Sequence, residues 1–480
     1  AIKSPQILEQ SGIGRPDVLS KIGVPVKVAL DGVGENVQEH QFIGVTYEVK
    51  AGASTETYDL LRDEKEAAKH LELYAKAEGI YMSGITNLVF MSLHDYTLKA
   101  DAIYEAEKAR VTEGIKSNEY PPGLAEQYEI QLERLRNKRT GPEMVVVPGF
   151  LSVPKPPEPG KQYFTIIAAV NHNFSRGTIH TVSSDPLVDP EMDPHYFEHD
   201  IDRQTFVALV QYIRRVSQTA PLSDFLGVEL NPGPEFDTDE KLAAWVPQGC
   251  ATTYHTAGSL SMLPREKNGV VDPSLKVYGT KNIRVVDLSI VPLHFAAHPQ
   301  ATVYAIAEQG GGTAGLALAA RLSEDASITV LVLDAGNHNL EEPLISRPAQ
   351  YGHQFFNPKF DWGFRTVPQK YANGQQYDWH RGKSLGGSSA MNFSAWTVPP
   401  KSDIDDWEKL GNKGWNWENY QKYLSRSTTY TPLDLTAADT VGRDKESLKI
   451  WDINNFPAGT GPLHVTHPRE IRGPNIVGII

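Results

Sequence analysis

The chain has 480 residues, of which 40% are hydrophobic and 22% charged, so it is long enough for two domains and a sizeable core. A net charge of −13 without a long basic run makes nucleic acid and anionic membrane surfaces poor partners. No apolar run reaches the length of a membrane span, and the single cysteine, Cys250, excludes an internal disulfide. The first residues do not have the pattern of a signal peptide, so the compartment is unknown and secretion stays open.

The first half of the chain predicts charged helices followed by apolar strands. Residues 5–11 predict a short helix closed by glycines. Residues 60–80 and 101–139 are rich in Glu, Lys and Ala and predict exposed helices, the second one broken by a Pro-Pro-Gly turn. Residues 161–173 and 177–184 alternate in polarity and predict strands of an antiparallel sheet.

The second half begins with a helix predicted over residues 200–218, where apolar residues recur at helical spacing. Residues 282–292 predict a buried strand, and residues 301–309 predict a helix. A glycine-rich run follows, then a helix and a strand predicted over residues 328–334. The strand that normally precedes such a run is missing, because a helix is predicted in its place.

This run, Gly-Gly-Gly-Thr-Ala-Gly, fits the dinucleotide pattern G-x-G-x-x-G. Gly310 allows a tight turn, Gly312 lets the backbone approach a pyrophosphate, and Gly315 lets the helix pack close to a sheet. Thr313 and Ala314 lie where the helix N-terminus would face the phosphates with its positive dipole end. The alternative is a glycine-rich turn without a ligand.

Two further features accompany the pattern. Asp334 ends the strand predicted after the glycines, at about the distance where a carboxylate accepts a hydrogen bond from a ribose hydroxyl. Residues 381–392 read RGKSLGGSSAMN, in which Gly386 and Gly387 bring backbone amides close to a ligand and Ser388 adds a donor. The alternative for this stretch is a flexible linker.

Together with three other stretches, these features resemble the glucose–methanol–choline (GMC) family of flavin oxidoreductases. The stretches that carry the resemblance are residues 4–14, 254–262, 270–308, 310–334 and 381–392. The resemblance implies an α/β fold of two domains: a Rossmann-like FAD-binding domain and a substrate domain with an antiparallel sheet flanked by helices. It assigns residues 1–40 and 245–395 to the FAD-binding domain, and residues 41–244 and 396–480 to the substrate domain.

The order of these stretches is reversed relative to the family, in which the glycine pattern opens the chain and the segment up to Glu308 nearly closes it. The sequence therefore predicts either a circular permutation or a chain assembled from pieces joined out of order. The missing first strand favours the second explanation, because a working permutant would keep that strand. A continuous, regular peptide across Gln309–Gly310 would count against it.

The family resemblance also implies catalytic residues. Oxidation of an alcohol removes a proton and a hydride, FAD takes the hydride, and the protein supplies a base. His255 matches the base, and His298 matches a partner that binds the hydroxyl. His294 and His298 have the spacing of zinc ligands on a helix, but Pro292 and Pro299 disfavour a helix there, so no metal is predicted.

The cofactor and substrate contacts follow from the same matches. The resemblance implies flavin contacts from Asp287, Leu288, Pro299, Gln300, Thr302, Ser388 and Asn392. Tyr254 precedes the base and is expected to form an aromatic wall of the substrate pocket, and His294 is interpreted as a loop histidine that lines this pocket. Met391 stands where some relatives carry a histidine linked to the flavin, so we expect non-covalent FAD. Asp193 to His195 could suggest a metal loop, but their context predicts a strand and turn.

The resulting hypothesis is an FAD-dependent enzyme that oxidises a primary, aryl or unsaturated alcohol and passes the electrons to oxygen or another acceptor. Sugar oxidation or a hydroxynitrile lyase on the same scaffold are the alternatives among enzymes. A non-catalytic nucleotide-binding protein and a metal hydrolase are alternatives of other classes.

Overall fold

The computed structural model describes residues 1–53, 55–85, 87–307, 313–339, 341–431 and 459–466. Within these residues the α-helices, numbered α1 to α14, are Lys3–Gln10, Pro16–Lys21, Glu64–Tyr74, Leu93–Tyr96, Ala100–Lys116, Leu124–Arg136, Asp200–Ser217, Leu222–Phe225, Asp239–Gly249, Gln300–Ala307, Thr313–Leu322, Pro343–Ser346, Lys401–Lys409 and Trp417–Ser427. The strands, numbered β1 to β14, are Ile13–Gly14, Val28–Ala29, Gln41–Val49, Asn87–Phe90, Glu143–Val147, Tyr163–Val170, Thr178–His180, Glu191–Asp193, Leu226–Asn231, Cys250–Thr252, Phe364–Arg365, Asp378–Trp379, Thr428–Thr431 and Leu463–Thr466.

The largest sheet of the described residues has six strands and is antiparallel throughout. Its order is β10-β3-β6-β5-β4, and β9 pairs with the far end of β3. Gln41 lies opposite Val170 and Glu48 opposite Tyr163, so β3 and β6 pair over almost their whole length. This sheet carries one of the catalytic candidates at its edge, because His255 follows β10 closely.

Strand β6 forms because its residues are buried on both faces of the sheet. All eight of its residues are buried. Phe164 and Ile166 pack into the core on one face, whereas Ile167 and Ala169 pack with Val145 on the other, since successive side chains point to opposite faces. The strand predicted over residues 161–173 is confirmed.

Helix α7 covers the first of these faces. Its apolar side chains recur at helical spacing, and Phe206, Leu209 and Ile213 are fully buried in the same core. Asp200 lies in the first turn and Arg214 in the last turn, where each complements the helix dipole. The helix predicted over residues 200–218 is confirmed, as are those at residues 5–11, 60–80 and 101–139, which correspond to α1, α3, and the pair α5 and α6. Helix α10 confirms the helix predicted over residues 301–309 as far as Ala307, and the last two residues lie outside the described part.

A second apolar cluster holds the segments that flank the candidate site. It joins side chains of residues 8–33, 257–306 and 404–424, including Trp407 and Leu424 of the last segment. Helices α13 and α14 of that last segment therefore pack on the cluster that includes α10 and the loop before it.

Two predicted strands do not form. Residues 328–334 make no strand pairing, and the side chains of Leu331 and Leu333 are 79% and 84% exposed, because no described strand lies beside them. Residues 282–292 form only an isolated bridge, between Arg284 and Lys276, and a short 3₁₀ turn, since the Asp287 side chain caps that turn at the Ser289 amide.

The expectation that Gly315 packs tightly is also wrong. A Cβ built at Gly315 meets nothing within 4 Å, because no described strand lies beside α11. Gly310, Gly312 and the Gln309–Gly310 peptide lie outside the described residues. No helix in the described ranges is long and apolar enough to cross a membrane.

Candidate active site

A cavity of about 510 Å³ is lined by two sets of residues, each of which includes residues predicted from the sequence. We call the first set the histidine wall; its members are Glu143, Tyr254, His255, His298, His380 and Arg381. We call the second set the glycine wall; its members are Thr313, Gly315, Val332, Leu333, Asp334, Gly386 and Gly387. The cavity is therefore lined by both the predicted catalytic residues and the predicted nucleotide-binding residues.

The two candidate catalytic histidines lie side by side. The ring centroids of His255 and His298 are 5.2 Å apart, and the ring planes cross at 72°. His255 follows strand β10, and His298 ends the loop before α10. The sheet edge and the second apolar cluster thus bring together two residues that are far apart in sequence.

His298 is backed by a carboxylate. Its Nε2 lies 2.9 Å from Oε1 of Glu143, whose side chain is only 4% exposed. Its backbone N–H donates to Thr397 Oγ1 at 2.7 Å, which fixes the loop. Burial disfavours the imidazolium, but the charge and hydrogen bond of Glu143 outweigh burial and raise the pKa of His298.

His255 is backed by another imidazole. Its Nδ1 lies 2.9 Å from Nδ1 of His40. Its backbone N–H donates to Glu39 Oε1 at 2.6 Å. Burial, with smaller contributions from the charges of His298, His294 and Arg381, holds the pKa of His255 well below its usual value. His255 is therefore neutral at pH 7.

His294 lies behind this pair. Its ring stacks on that of His40 at 3.6 Å, and its Nε2 lies 2.8 Å from the carbonyl oxygen of His255. The side chain is 3% exposed and does not line the cavity, although the sequence predicted it in the substrate pocket. The residues before α10 are not helical, so His294 and His298 do not share a helix face.

A buried ion pair completes the histidine wall. Arg381 Nη2 lies 3.6 Å from Glu39 Oε2, and both side chains are largely buried. Thr256 Oγ1 donates to Glu39 and accepts from Arg381. Glu39 thus ties Arg381 to the backbone of His255, which holds that backbone in place.

Aromatic rings form the neighbouring part of the cavity. Phe355 stacks on His380 at 4.1 Å and meets Tyr254 edge-on at 5.1 Å. His380 Nδ1 lies 2.5 Å from Asp361 Oδ2, so the imidazole is fixed in its plane. Phe393 also lines the cavity, 6.2 Å from Phe355. This surface suits a flat, apolar group.

The turn in the glycine wall has a backbone conformation that residues other than glycine adopt poorly. Gly386 has φ +95° and Gly387 φ +56°. A Cβ at Gly387 would meet only Thr313 Oγ1, at 3.8 Å, so open space lies over this turn. Thr313 Oγ1 donates to the Gly386 carbonyl at 3.2 Å, which joins α11 to the turn. Ser388 Oγ accepts from the Gly382 amide at 3.1 Å.

The remaining predicted cofactor contacts divide into two groups. Asp287, Leu288, Pro299, Gln300, Ser388, Asn392 and Asp334 line the cavity. Asn392 Nδ2 donates to Gln300 Oε1 at 2.9 Å, which links the two segments that carry these contacts. Thr302 does not line the cavity, because its hydroxyl is buried against Tyr420 at 3.0 Å.

These residues fit a flavin dinucleotide. The cavity is lined by Asp334, by the Gly386–Gly387 turn and by the two imidazoles, and its volume is typical of sites for organic ligands. Open space over Gly315 and Gly387 leaves room for a ligand against the backbone. The N-terminus of α10, at Gln300, lines the same space.

Five residues of the histidine wall and its support were missed from the sequence: Glu143, His380 and Arg381 of the wall, and Glu39 and His40 behind it. Glu143 begins β5 and His40 precedes β3, far along the chain from the histidines they contact. The signal for His40 was a polar pair, Glu39-His40, directly before a strand that is buried almost throughout. No group of three or more His, Cys, Asp or Glu in the described part of the chain is arranged to hold a metal.

The strand-and-turn prediction around residues 193–195 is confirmed, because β8 pairs with β7. Together, the sheet, its helices and the cavity define the class of the protein: a mixed α/β fold with a cavity suited to a dinucleotide cofactor. Two sequence models described as GMC oxidoreductase match the chain, the C-terminal one over residues 173–307 and the N-terminal one over residues 291–477. The chain belongs to the GMC oxidoreductase family.

The chain is also similar to individual relatives and to solved structures. A GMC oxidoreductase family protein of Malassezia sympodialis is 33% identical over 319 residues, which cover 64% of this chain and 47% of that protein. An FAD-dependent oxidoreductase from Chaetomium thermophilum is 25% identical with a TM-score of 0.56, and the match covers 68% of this chain and 54% of the other.

A fungal aryl-alcohol oxidase is 28% identical with a TM-score of 0.54, over 64% of this chain and 52% of the other. The chain thus spans about half the length of the proteins it matches. The match to the C-terminal model precedes the match to the N-terminal one, in agreement with the reversed order of the motifs.

Proposed function

We propose that the protein is an FAD-dependent enzyme that oxidises a primary alcohol, of the aryl or otherwise unsaturated class, to the aldehyde. The observation that carries the proposal is the pair of adjacent imidazoles with opposite partners: His298 faces Glu143, and His255 faces His40. Neighbouring titratable groups whose environments push their pKa values apart divide the roles of acid and base between them.

In this mechanism, His255 is the general base. It is neutral at pH 7, so a ring nitrogen can accept the proton of the substrate hydroxyl. His298, with its raised pKa, keeps its proton and donates a hydrogen bond to the substrate oxygen as negative charge develops there. Bound FAD supplies the hydride acceptor. The two imidazoles orient the carbinol carbon, and the buried surroundings exclude water.

The cofactor is held without a covalent bond in this proposal. Met391, which lines the cavity beside Asn392, offers no nucleophile to the flavin ring. The glycine wall, which includes Asp334, would bind the dinucleotide part, and Asn392, Gln300 and the N-terminus of α10 would contact the ring system. If the flavin remained with the polypeptide after acid precipitation, non-covalent binding would be disproved.

The aromatic surface of Tyr254, Phe355 and Phe393 supports the substrate class. Flat apolar rings on the substrate pack favourably on such a surface, whereas a sugar would leave hydroxyls without partners. The similarity to an aryl-alcohol oxidase supports the same choice. Residues 1–40 and 245–395 form the cofactor domain of this proposal, and residues 41–244 and 396–480 the substrate domain.

A substrate panel tests the proposal. Purified holoenzyme is offered benzyl-type and allylic alcohols, glucose and an aromatic hydroxynitrile, with a dye acceptor and with oxygen. We expect turnover of the unsaturated alcohols, no turnover of glucose and no cyanide release. Glucose turnover would identify a sugar oxidase, and cyanide release without net redox would identify a lyase. The absence of flavin would favour a non-catalytic protein. Comparison of the rates with oxygen and with the dye shows whether oxygen is the electron acceptor.

A further inference from the structure

Beside the catalytic pair, one buried side chain has no role in the proposed mechanism. His40 is 1% exposed, and it stands just before β3, at the sheet edge from which His255 projects. Its Nδ1 lies 2.9 Å from Nδ1 of His255. At that distance one nitrogen carries the proton and the other accepts it, so the pair has two arrangements.

The two arrangements have opposite consequences for His255. If His40 donates, the proton of neutral His255 sits on Nε2, and that nitrogen cannot accept a proton from the substrate. If His255 donates from Nδ1, its Nε2 carries a lone pair and is a base. The direction of this single hydrogen bond therefore decides whether His255 can act.

The surroundings hold the His40 ring in place. His294 stacks on it at 3.6 Å, with the ring planes 30° apart. Phe295 N–H donates to His294 Nδ1 at 3.1 Å, so the proton of His294 is on Nε2, which donates to the His255 carbonyl at 2.8 Å. The tautomer of His294, whose ring stacks on His40, is therefore fixed. His40 is held between a fixed neighbour and the base.

We propose that His40 is a positioning residue: its Nδ1 accepts the Nδ1 proton of His255 and thereby holds the Nε2 lone pair of His255 toward the cavity. This inference rests on the proposed role of His255 as base. During the reaction, the substrate proton goes to His255 Nε2, the Nδ1 proton stays on His255, and the resulting imidazolium keeps its hydrogen bond to neutral His40.

A neutral imidazole in this position has a consequence that a carboxylate would not have. Glu143 behind His298 adds negative charge, which favours the protonated ring. His40 behind His255 accepts a hydrogen bond without adding negative charge, so His255 stays unprotonated at neutral pH. The two supports therefore differ in charge.

The experiment combines two variants with a spectroscopic measurement. In His40→Asn, Oδ1 stands at about the place of Nδ1 and can still accept; His40→Phe keeps the ring and its stacking but removes the acceptor. Two-bond ¹H–¹⁵N correlation spectra of holoenzyme with ¹⁵N-labelled histidine, assigned with His255→Asn, report which nitrogen of His255 carries the proton. Anaerobic flavin reduction by benzyl alcohol gives the rate.

We expect the Nδ1–H form of His255 in the wild type and in His40→Asn, with rates of flavin reduction that agree within about 3-fold. In His40→Phe we expect loss of that form and a rate at least about 10-fold lower, since a misplaced proton removes the base from most molecules. His70→Phe replaces a buried histidine that accepts from Ile80 outside the cavity, and it should lower stability without changing either readout.

A wild-type spectrum with the proton on His255 Nε2 would overturn the proposal, as would a His40→Phe variant that keeps both the Nδ1–H form and the rate. The wild-type spectrum is decisive even if His40→Phe fails to fold. An Nδ1–H form in a wild type that alcohol cannot reduce would support the assignment of His40 and contradict the proposed function.

Discussion

The histidine wall and the glycine wall line one cavity but are held in different ways. His255 is fixed by a hydrogen bond to the buried His40 and His298 by one to the buried Glu143, and the sheet lies behind them. In the glycine wall, by contrast, Leu333 is 84% exposed and α11 has open space over Gly315. The position of the imidazoles thus depends on packing within this chain, whereas the glycine wall offers mainly backbone.

Two segments of similar composition show how far local sequence determines whether a strand forms. Residues 163–170 and 328–334 are both rich in β-branched and apolar residues, yet only the first segment forms a strand. The first has β3 and β5 beside it, whereas the second has no partner strand within the described ranges. A strand is stabilised by its neighbours, so the same composition gives different outcomes.

The largest effect is expected from substitution of the proposed general base, His255, in the histidine wall. His255→Asn should lower the rate of flavin reduction by about 10³-fold, because a general base contributes that order of magnitude. FAD affinity should stay unchanged, since the glycine wall is untouched. Stopped-flow absorbance and a flavin titration measure the two quantities. His94→Asn, which removes a histidine that contacts Asp101 outside the cavity, should leave both unchanged.

The next effect concerns the carboxylate behind His298. Glu143→Gln should lower kcat/KM by about 10-fold, because the protonated His298 loses its charged partner. Glu143 raises the pKa of His298, so its removal lowers that pKa, and activity should be lost at lower pH on the alkaline side of the profile. The acid side of the pH profile, which depends on the pKa of His255, should not shift.

Glu107→Gln is the matched control for this variant. Glu107 also pairs with a buried histidine, His199, at 2.5 Å, but neither residue lines the cavity. It should lower stability without moving the pH profile. If both variants shift the alkaline side alike, the Glu143–His298 pair has no special part in the reaction.

Substitution in the glycine wall should affect binding instead of rate. Asp334→Asn should weaken FAD by about 10-fold, the order expected for a charged hydrogen bond to a ribose hydroxyl. The rate at saturating FAD should match the wild type. Asp325→Asn is the control, because Asp325 caps a nearby turn at Ser327 and does not line the cavity. Equal FAD affinity in the two variants would argue against Asp334 as a ribose ligand.

The smallest effect lies outside both walls. Burial lowers the pKa of His180, but hydrogen bonds to Glu35 and Glu9 outweigh it and raise the pKa to about 9. The stabilisation is therefore complete below the unfolded pKa of about 6.5 and is lost as pH rises through about 9. Thermal unfolding from pH 6 to 10 should show a steeper loss in the wild type than in His180→Gln. Parallel curves would contradict the assignment.

Much of the fold was predictable because its signals are local. The periodicity of residues 200–218 and the alternation of residues 161–173 indicated α7 and β6 directly. The 3₁₀ turn at Leu288–Ile290 was not, because a buried apolar run is compatible with either a strand or a turn. The contacts of Asp287 decide the outcome.

The residues of the site likewise include some that were predicted from the sequence and some that were not. His255 and His298 were predicted only through the family motifs, since spacing along the chain cannot place two loops beside each other. Glu143 and His40 were missed because their partners are distant in sequence and their role depends on the register of the sheet. His294 was predicted in the pocket because it lies near His298 in the chain, whereas its ring turns inward to stack on His40.

The central claim is tested most directly by the visible spectrum of the purified holoenzyme, mixed anaerobically with benzyl alcohol. We expect a bound oxidised flavin whose absorption is bleached by the alcohol, at a rate that falls as pH drops through the low pKa of His255. A flavin that stays oxidised with every unsaturated alcohol, or a protein that binds no flavin, would contradict it.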